Sequence, residues 1–278
     1  MNGKIAIVTG SNTGIGRETA RGLAERGATV VLACRDAQRA EAARDDIART
    51  TGRSDLTAIP LDLGSAASIR AFAERFRKEH RRLDVLVDNA GLWPSTRTTT
   101  TDGFESTFGV NHLGTFLLTH ELLPILRESA PARVVVLSSA LHYRGEMVWD
   151  DLQFERRKFS GTTAYSQSKL ANVLFTKALA RRLAGAGVTV NAVHPGVVAT
   201  ELSRAFPRFL VNIANLFMLT PEKGAACSLF VATAPELAQV TGEYFEKSRA
   251  KKAARASRDE DAQEKLWALS EQLLGIKA

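Results

Sequence analysis

Cysteines, long apolar runs and clusters of metal ligands are all scarce in this 278-residue chain, and each scarcity excludes something. Two cysteines, Cys34 and Cys227, give no disulfide framework and read as small buried apolar residues in a cell that keeps thiols reduced. No stretch of about 20 uninterrupted apolar residues exists, so no membrane span is expected. The first strand pattern starts almost at Met1, which leaves no room for a signal peptide or N-terminal anchor and points to the cytoplasm. His112, His142 and His194 are not spaced as a metal set and no Cys/His cluster accompanies them, so no metal is expected. There is no Gly-x-Ser-x-Gly elbow of a hydrolase and no Gly-Lys-Ser/Thr phosphate loop. Linkers, repeats and low-complexity inserts are absent too.

The net charge of +7 is spread along the chain without a nucleic-acid motif, so no nucleic-acid partner is expected. The densest basic run, 247–258, reads as a solvated connection to a final helix. With 45% hydrophobic residues the chain can bury one large core. Strand patterns near 3–9, 28–33, 55–60, 83–88, 132–139, 188–194 and 243–246 alternate with helical stretches. That order predicts a single-domain α/β fold, a doubly wound parallel sheet with helices on both faces. The domain is expected over 1–246, with a lid at about 201–220, and 247–278 holds the basic connection and a C-terminal helix.

Two motifs carry chemistry. A buried strand is followed by Thr9-Gly10-Ser11-Asn12-Thr13-Gly14-Ile15-Gly16 and then a helix. Glycine permits the tight turn and lets backbone N–H groups approach a diphosphate at the positive end of that helix. The next strand ends in Cys34-Arg35-Asp36. Arg35 there would accept a 2′-phosphate, whereas Asp36 would bind a free ribose 2′-hydroxyl, so the cofactor is NADP(H) if Arg35 is the reader and NAD(H) if Asp36 is. Further on, Tyr165 and Lys169 stand four apart on one helix face. A free phenol has a pKa of about 10, and a nearby ammonium lowers it; a thousandfold acidification corresponds to roughly 4 kcal/mol.

Taken with Asp62-Leu63, Asn89-Ala90-Gly91, Asn111, Ser139 and Pro195-Gly196 in that order, the chain resembles the short-chain dehydrogenase/reductase family over about 3–245. Gly14-Ile-Gly-Arg-Glu-Thr-Ala20, Ala33-Cys-Arg35, Val110-Asn-His-Leu-Gly-Thr-Phe-Leu-Leu-Thr119 and His194-Pro-Gly-Val-Val-Ala-Thr-Glu-Leu202 are similar to its retinol-dehydrogenase-like subgroup. The resemblance implies a Rossmann-type fold and favours Arg35 and NADP(H) over Asp36 and NAD(H). It also implies Tyr165 as acid/base, Lys169 as its electrostatic partner and ribose ligand, and Ser139 rather than Ser138 as the hydroxyl on the substrate oxygen. Asn111 would hold a relay water beside the lysine.

By position, Asp62 and Leu63 would flank adenine, and Asn89, Ala90 and Gly91 would lie against the ribose. Pro195, Gly196, Val198 and Thr200 would form the nicotinamide-side loop. Asp88 stands where the family has an Asn, which puts local stability in question more than cofactor binding. Family members dimerise or form tetramers through helices corresponding to 102–128 and 163–186. Several subgroup members carry a membrane anchor that is not evident here.

The 25 residues between Ser139 and Tyr165 are about twice the gap of compact members and would add a rim over the site. Segment 206–219 has Phe209, Ile213, Leu216 and Phe217 at helical spacing, either as a lid on the core or as a lipophilic wall touching a membrane surface. The expected substrate is a lipophilic alcohol or carbonyl compound. A cofactor-binding regulator without turnover and a pigment reductase of related fold are the alternatives.

Overall fold

The computed structural model describes residues 1–196 and 219–276. Its eight-stranded sheet runs in the order β3-β2-β1-β4-β5-β6-β7-β8. β1 (Ile5–Thr9), β2 (Thr29–Cys34) and β3 (Leu56–Pro60) form one half. β4 (Val85–Asp88), β5 (Ala132–Leu137), β6 (Val188–His194) and β7 (Tyr244–Glu246) form the other, and all seven are parallel. Alternate residues of each strand feed opposite cores. Ala6, Val8, Val30 and Leu32 pack beneath α1 (Gly14–Glu25), α2 (Ala37–Thr51) and α6 (Pro221–Thr233). Ile7, Val31, Leu86 and Val134 face α3 (Ala66–Glu79), α4 (Thr115–Glu128) and α5 (Gly161–Arg182). Burial on both faces is why the strands read as unbroken apolar runs and not as alternating ones.

The chain leaves the sheet in opposite directions after β1 and β4, and that reversal opens a crevice at their carboxyl ends. Ahead of α4, a short helical turn at Ser106–Phe108 runs into a π-helical turn at Gly109–Gly114. The wider turn carries Asn111, buried, toward the crevice; such bulges recur at functional sites.

Part of the basic run is more ordered than a solvated connection. Arg249–Lys251 form β8, antiparallel to β7, across a two-residue turn in which Lys247 and Ser248 take positive φ. The charged side chains of this edge strand point away from the core, as edges that resist pairing do. α7 (Glu260–Leu274) then lies along α5 and meets α4 through Trp267. Its Trp267 sits 4.8 Å from Phe116 edge-on and 6.0 Å from Phe175, while Ser270 pairs with His112 Nε2 at 2.9 Å. The C-terminal helix therefore covers, within one chain, apolar surface of the helices expected to carry subunit contacts. No helix among the described residues is long and apolar enough to cross a membrane.

Asp88 ends β4 in a dry place. One carboxylate oxygen accepts the Thr119 hydroxyl at 2.9 Å, and the other has no partner among the described residues. Burial pushes its pKa up to about 7. The folded state thus holds this proton more tightly than the unfolded chain, so stability falls as pH rises from about 4 through 7. Asp88→Asn removes the penalty. Thermal unfolding should show the variant more stable than the parent at pH 8, by roughly 2 kcal/mol, with a much smaller gap at pH 5. A gap independent of pH would contradict this assignment.

Candidate active site

A cleft of about 520 Å³ opens at the carboxyl ends of β1, β4 and β5. Gly10, Asn12, Thr13, Gly14, Ile15, Gly16 and Arg35 line one side, and Asn89 to Pro94 the other. Leu137, Ser138, Tyr165, Lys169 and Pro195 form its inner end.

The glycine turn is built for close approach. Gly10 and Gly14 adopt positive φ, at 64° and 55°. A side chain on Gly16 would collide with the Gly10 carbonyl and the Asn89 amide. The Thr9 hydroxyl accepts the N–H groups of Asn89 and Ala90, both at 2.9 Å, and Asn89 Nδ2 donates to the Thr9 carbonyl at 2.7 Å. Those bonds tie β1 to β4 across the point where they part. Ser11 is buried, its hydroxyl donating to the Val8 carbonyl at 2.8 Å and lying 3.4 Å from Cys34 Sγ. Helix α1 has no side-chain cap from Thr13 and no acidic residue in its first turn, so its leading N–H groups face the cleft as an anion site.

At the end of β2 the two rival readers of the ribose separate. Asp36 caps α2, its carboxylate accepting the Arg39 N–H at 3.0 Å. Arg35 is exposed and lines the cleft. Asp62 uses Oδ1 to accept the Gly64 N–H at 2.9 Å, while Leu63 is buried against Gly114. Neither is among the residues lining the cleft. Gly196, at φ 91°, follows Pro195. Val198, Thr200 and residues 206–218 of the expected lid lie outside the described residues, and Leu219, exposed, meets Gly196.

On α5, Tyr165 and Lys169 share the inward face and both are buried. Lys169 Nζ donates to the Leu137 carbonyl at 3.0 Å, and burial pushes its pKa down to about 8. The Tyr165 hydroxyl pairs with Ser139, which slightly offsets the burial that pushes its pKa up to about 12. The expected acidification of the phenol by the ammonium is thus outweighed here. Lys169 Nζ stands 5.4 Å from the phenol ring centre, and desolvation is the larger effect. Ser138 donates to the Lys169 carbonyl at 2.8 Å and so acts as a structural tie, leaving Ser139 beside the tyrosine.

Asn111 holds the loop that follows Gly91. Its Oδ1 accepts the Leu92 N–H at 2.8 Å, and its Nδ2 donates to the Leu92 carbonyl and to Ser168 Oγ, each at 3.0 Å. A side chain on Gly91 would meet both Asn111 Oδ1 and Lys169 Nζ, so the asparagine and the lysine flank that glycine. One feature went unseen in the sequence. The Trp93 indole stacks on the Tyr165 ring, centres 4.5 Å apart and planes 9° from parallel. Gly161 allows the stack, because any side chain there would strike the Pro94 carbonyl. An indole two places beyond Asn89-Ala90-Gly91 was the only signal available.

Residues 4–209 match the family model described as short chain dehydrogenase. The chain belongs to the short-chain dehydrogenase family. It is 48% identical to human retinol dehydrogenase 13, with 99% of this chain and 86% of that protein aligned. Mouse retinol dehydrogenase 12 is 47% identical over 99% of this chain and 87% of its own length. An uncharacterized protein from Mycobacterium paratuberculosis superposes with a TM-score of 0.82 at 36% identity, covering 99% of this chain and 94% of that one. A Shigella flexneri short chain dehydrogenase solved with NADP gives 0.74 at 27% identity, over 90% and 98%. The chain is therefore an oxidoreductase for CH–OH and C=O groups, and within its family it is retinol-dehydrogenase-like.

Burial raises the pKa of all three tyrosines, Tyr143, Tyr165 and Tyr244. Ultraviolet titration of the cofactor-free protein should therefore show no tyrosinate absorbance below about pH 10, the ordinary tyrosine value. A phenolate appearing near pH 8 in the parent and missing in Tyr165→Phe would contradict the assignment.

Proposed function

We propose that this chain is an NADP(H)-dependent oxidoreductase that moves hydride between the nicotinamide and a lipophilic alcohol or carbonyl compound, with Tyr165 as general acid/base. One observation carries the reading: the buried Tyr165 hydroxyl, paired with Ser139, stands at the inner end of a glycine-lined cleft beside the Lys169 ammonium. The cradle fits a dinucleotide. Gly10, Gly14 and Gly16 with the first turn of α1 suit the diphosphate, Asn89, Ala90 and Gly91 the ribose, and Lys169 the nicotinamide ribose hydroxyls. Asp62 and Leu63, set back from the cleft lining, would border adenine only at its outer end, and Pro195, Gly196, Val198 and Thr200 would border the nicotinamide side.

Arg35 is the group that selects NADP(H). Arg35 lies at the cleft wall, where a guanidinium suits a 2′-phosphate, whereas Asp36, which would favour a free 2′-hydroxyl, has one carboxylate oxygen engaged in the α2 cap and does not line the cleft. Relatives of the same fold solved with NADP, NADPH and NADH support a nicotinamide cofactor, and Arg35 carries the preference for the 2′-phosphate.

When bound, the reduced nicotinamide supplies the hydride. Tyr165, protonated at neutral pH, donates its proton to the substrate oxygen, and Ser139 donates a hydrogen bond to the same atom as negative charge builds there. In the oxidative direction the phenol must first lose its proton, and Lys169 is the nearby cation that makes this easier. Asn111 would hold the water through which Lys169 exchanges protons with solvent. Leu92, Trp93, Pro94 and Pro195 offer an apolar wall that suits a lipophilic chain, in keeping with the retinol dehydrogenases among its relatives.

Tyr165→Phe should leave NADPH binding intact and lower kcat for decanal reduction by about a thousandfold, since the general acid is gone. Near-parental turnover would overturn the mechanism. Arg35→Ala should weaken NADPH binding by about tenfold or more while changing NADH binding little, as fluorescence titration would show. Equal losses for both would sink the cofactor assignment.

A further inference from the structure

His142 is fully buried in the short turn after β5, at Ala140–Arg144, and both of its ring nitrogens are in use. Nε2 lies 3.1 Å from the backbone nitrogen of Ala254, and Nδ1 lies 2.7 Å from the Ser139 carbonyl oxygen. A backbone N–H can only donate, so Nε2 must accept. The proton therefore sits on Nδ1 and is donated to Ser139. The same carbonyl also takes the His142 backbone N–H at 3.0 Å. Next to it, the Tyr143 hydroxyl donates to the Lys252 carbonyl at 2.8 Å. The loop bearing Ser139 is thus fastened to the segment just after β8.

We propose that His142 is a positioning residue: it fixes the Ser139 peptide so that the hydroxyl meets Tyr165, and it makes the segment around Ala254 a structural part of the active site. The inference rests on the reading of Ser139 and Tyr165 as the reacting pair. A histidine suits the task because one neutral ring can accept at one end and donate at the other. Charging it would set Nε2–H against the Ala254 N–H and break the clasp.

The groups facing the ring are Tyr143 on its own turn, Tyr244 and Glu246 on β7, and His194 on β6. Burial holds His142 below the usual histidine range, outweighing the bond to the Ser139 carbonyl, which favours the charged ring; His194 opposes that charge and Glu246 favours it more weakly. The clasp is accordingly intact at neutral pH. It is lost as pH falls from the ordinary histidine value through the lower folded value.

Two measurements on the full chain test this. In ¹⁵N spectra of histidine-labelled protein, His142, assigned by its absence in the variants, should show a neutral Nδ1–H ring that stays neutral at pH 6. An Nε2–H ring, or titration at the ordinary histidine value, would overturn the proposal. Turnover of decanal with NADPH is then compared in His142→Asn and His142→Gln. Asn keeps a donor near the Nδ1 position, whereas Gln keeps an acceptor near the Nε2 position.

His142→Asn should hold kcat within about threefold of the parent, and His142→Gln should lose about tenfold or more, with the NADPH Kd unchanged in both. Equal losses in the two variants, or a loss of NADPH binding in parallel, would assign His142 to folding alone and overturn the proposal. A parent without turnover would overturn the proposed function, and with it the catalytic part of this inference, while the ring spectrum would still decide whether the His142 clasp exists.

Discussion

Lys169 is a buried cation whose ammonium rests on the carbonyl oxygen of Leu137, and the site is assembled around that contact. Burying an ammonium is costly unless polar atoms receive it, and here the end of β5 receives it. Asn172 donates to the same oxygen at 3.0 Å, and Ser138 returns a bond to the Lys169 carbonyl at 2.8 Å. Helix α5 is thereby locked to the carboxyl end of β5 in one register. One turn earlier on the helix, Tyr165 comes to lie against Ser139, one residue beyond Ser138. The depressed pKa of the lysine and the raised pKa of the tyrosine both follow from the dryness this locking creates.

The same dryness sets the direction in which the phenol is ready to act. A tyrosine that keeps its proton at neutral pH is a proton donor, and that suits carbonyl reduction. One face of its ring is covered by Trp93, and the loop bearing Trp93 is held by Asn111 and admitted by Gly161. The stacked indole leaves the phenol little room to swing, so its hydroxyl stays directed at Ser139. Rigid placement of this kind is what lets a hydroxyl act at the right distance in the transition state.

The features legible in the sequence were those fixed by short-range patterns. The apolar strands, the glycine turn between β1 and α1, and the i,i+4 spacing of Tyr165 and Lys169 each depend on neighbours within a few residues, and the structure reproduces them. Features that depend on distant partners were not legible. His142 needs Ala254, 112 residues away, to define its ring proton. The stack of Trp93 on Tyr165 needs Gly161 to be small. β8 was hidden because its three residues are charged or small and exposed, and only pairing with β7 makes them a strand. Arg35 and Asp36 stood as rivals at one strand end, and the cap bond that engages Asp36 on α2 needed the folded backbone to be seen. The net effect of burial on Tyr165 also needed coordinates, since the attraction of Lys169 was visible in the sequence and the desolvation was not.

Hydride transfer itself is the claim on which the rest stands. The direct test is to supply NADPH carrying deuterium on one face of nicotinamide C4, each face in turn, and to analyse the alcohol formed from decanal by mass spectrometry. The account predicts one deuterium on the carbinol carbon from one labelled face and none from the other. Tight NADPH binding with no deuterium in the product from either face would contradict it.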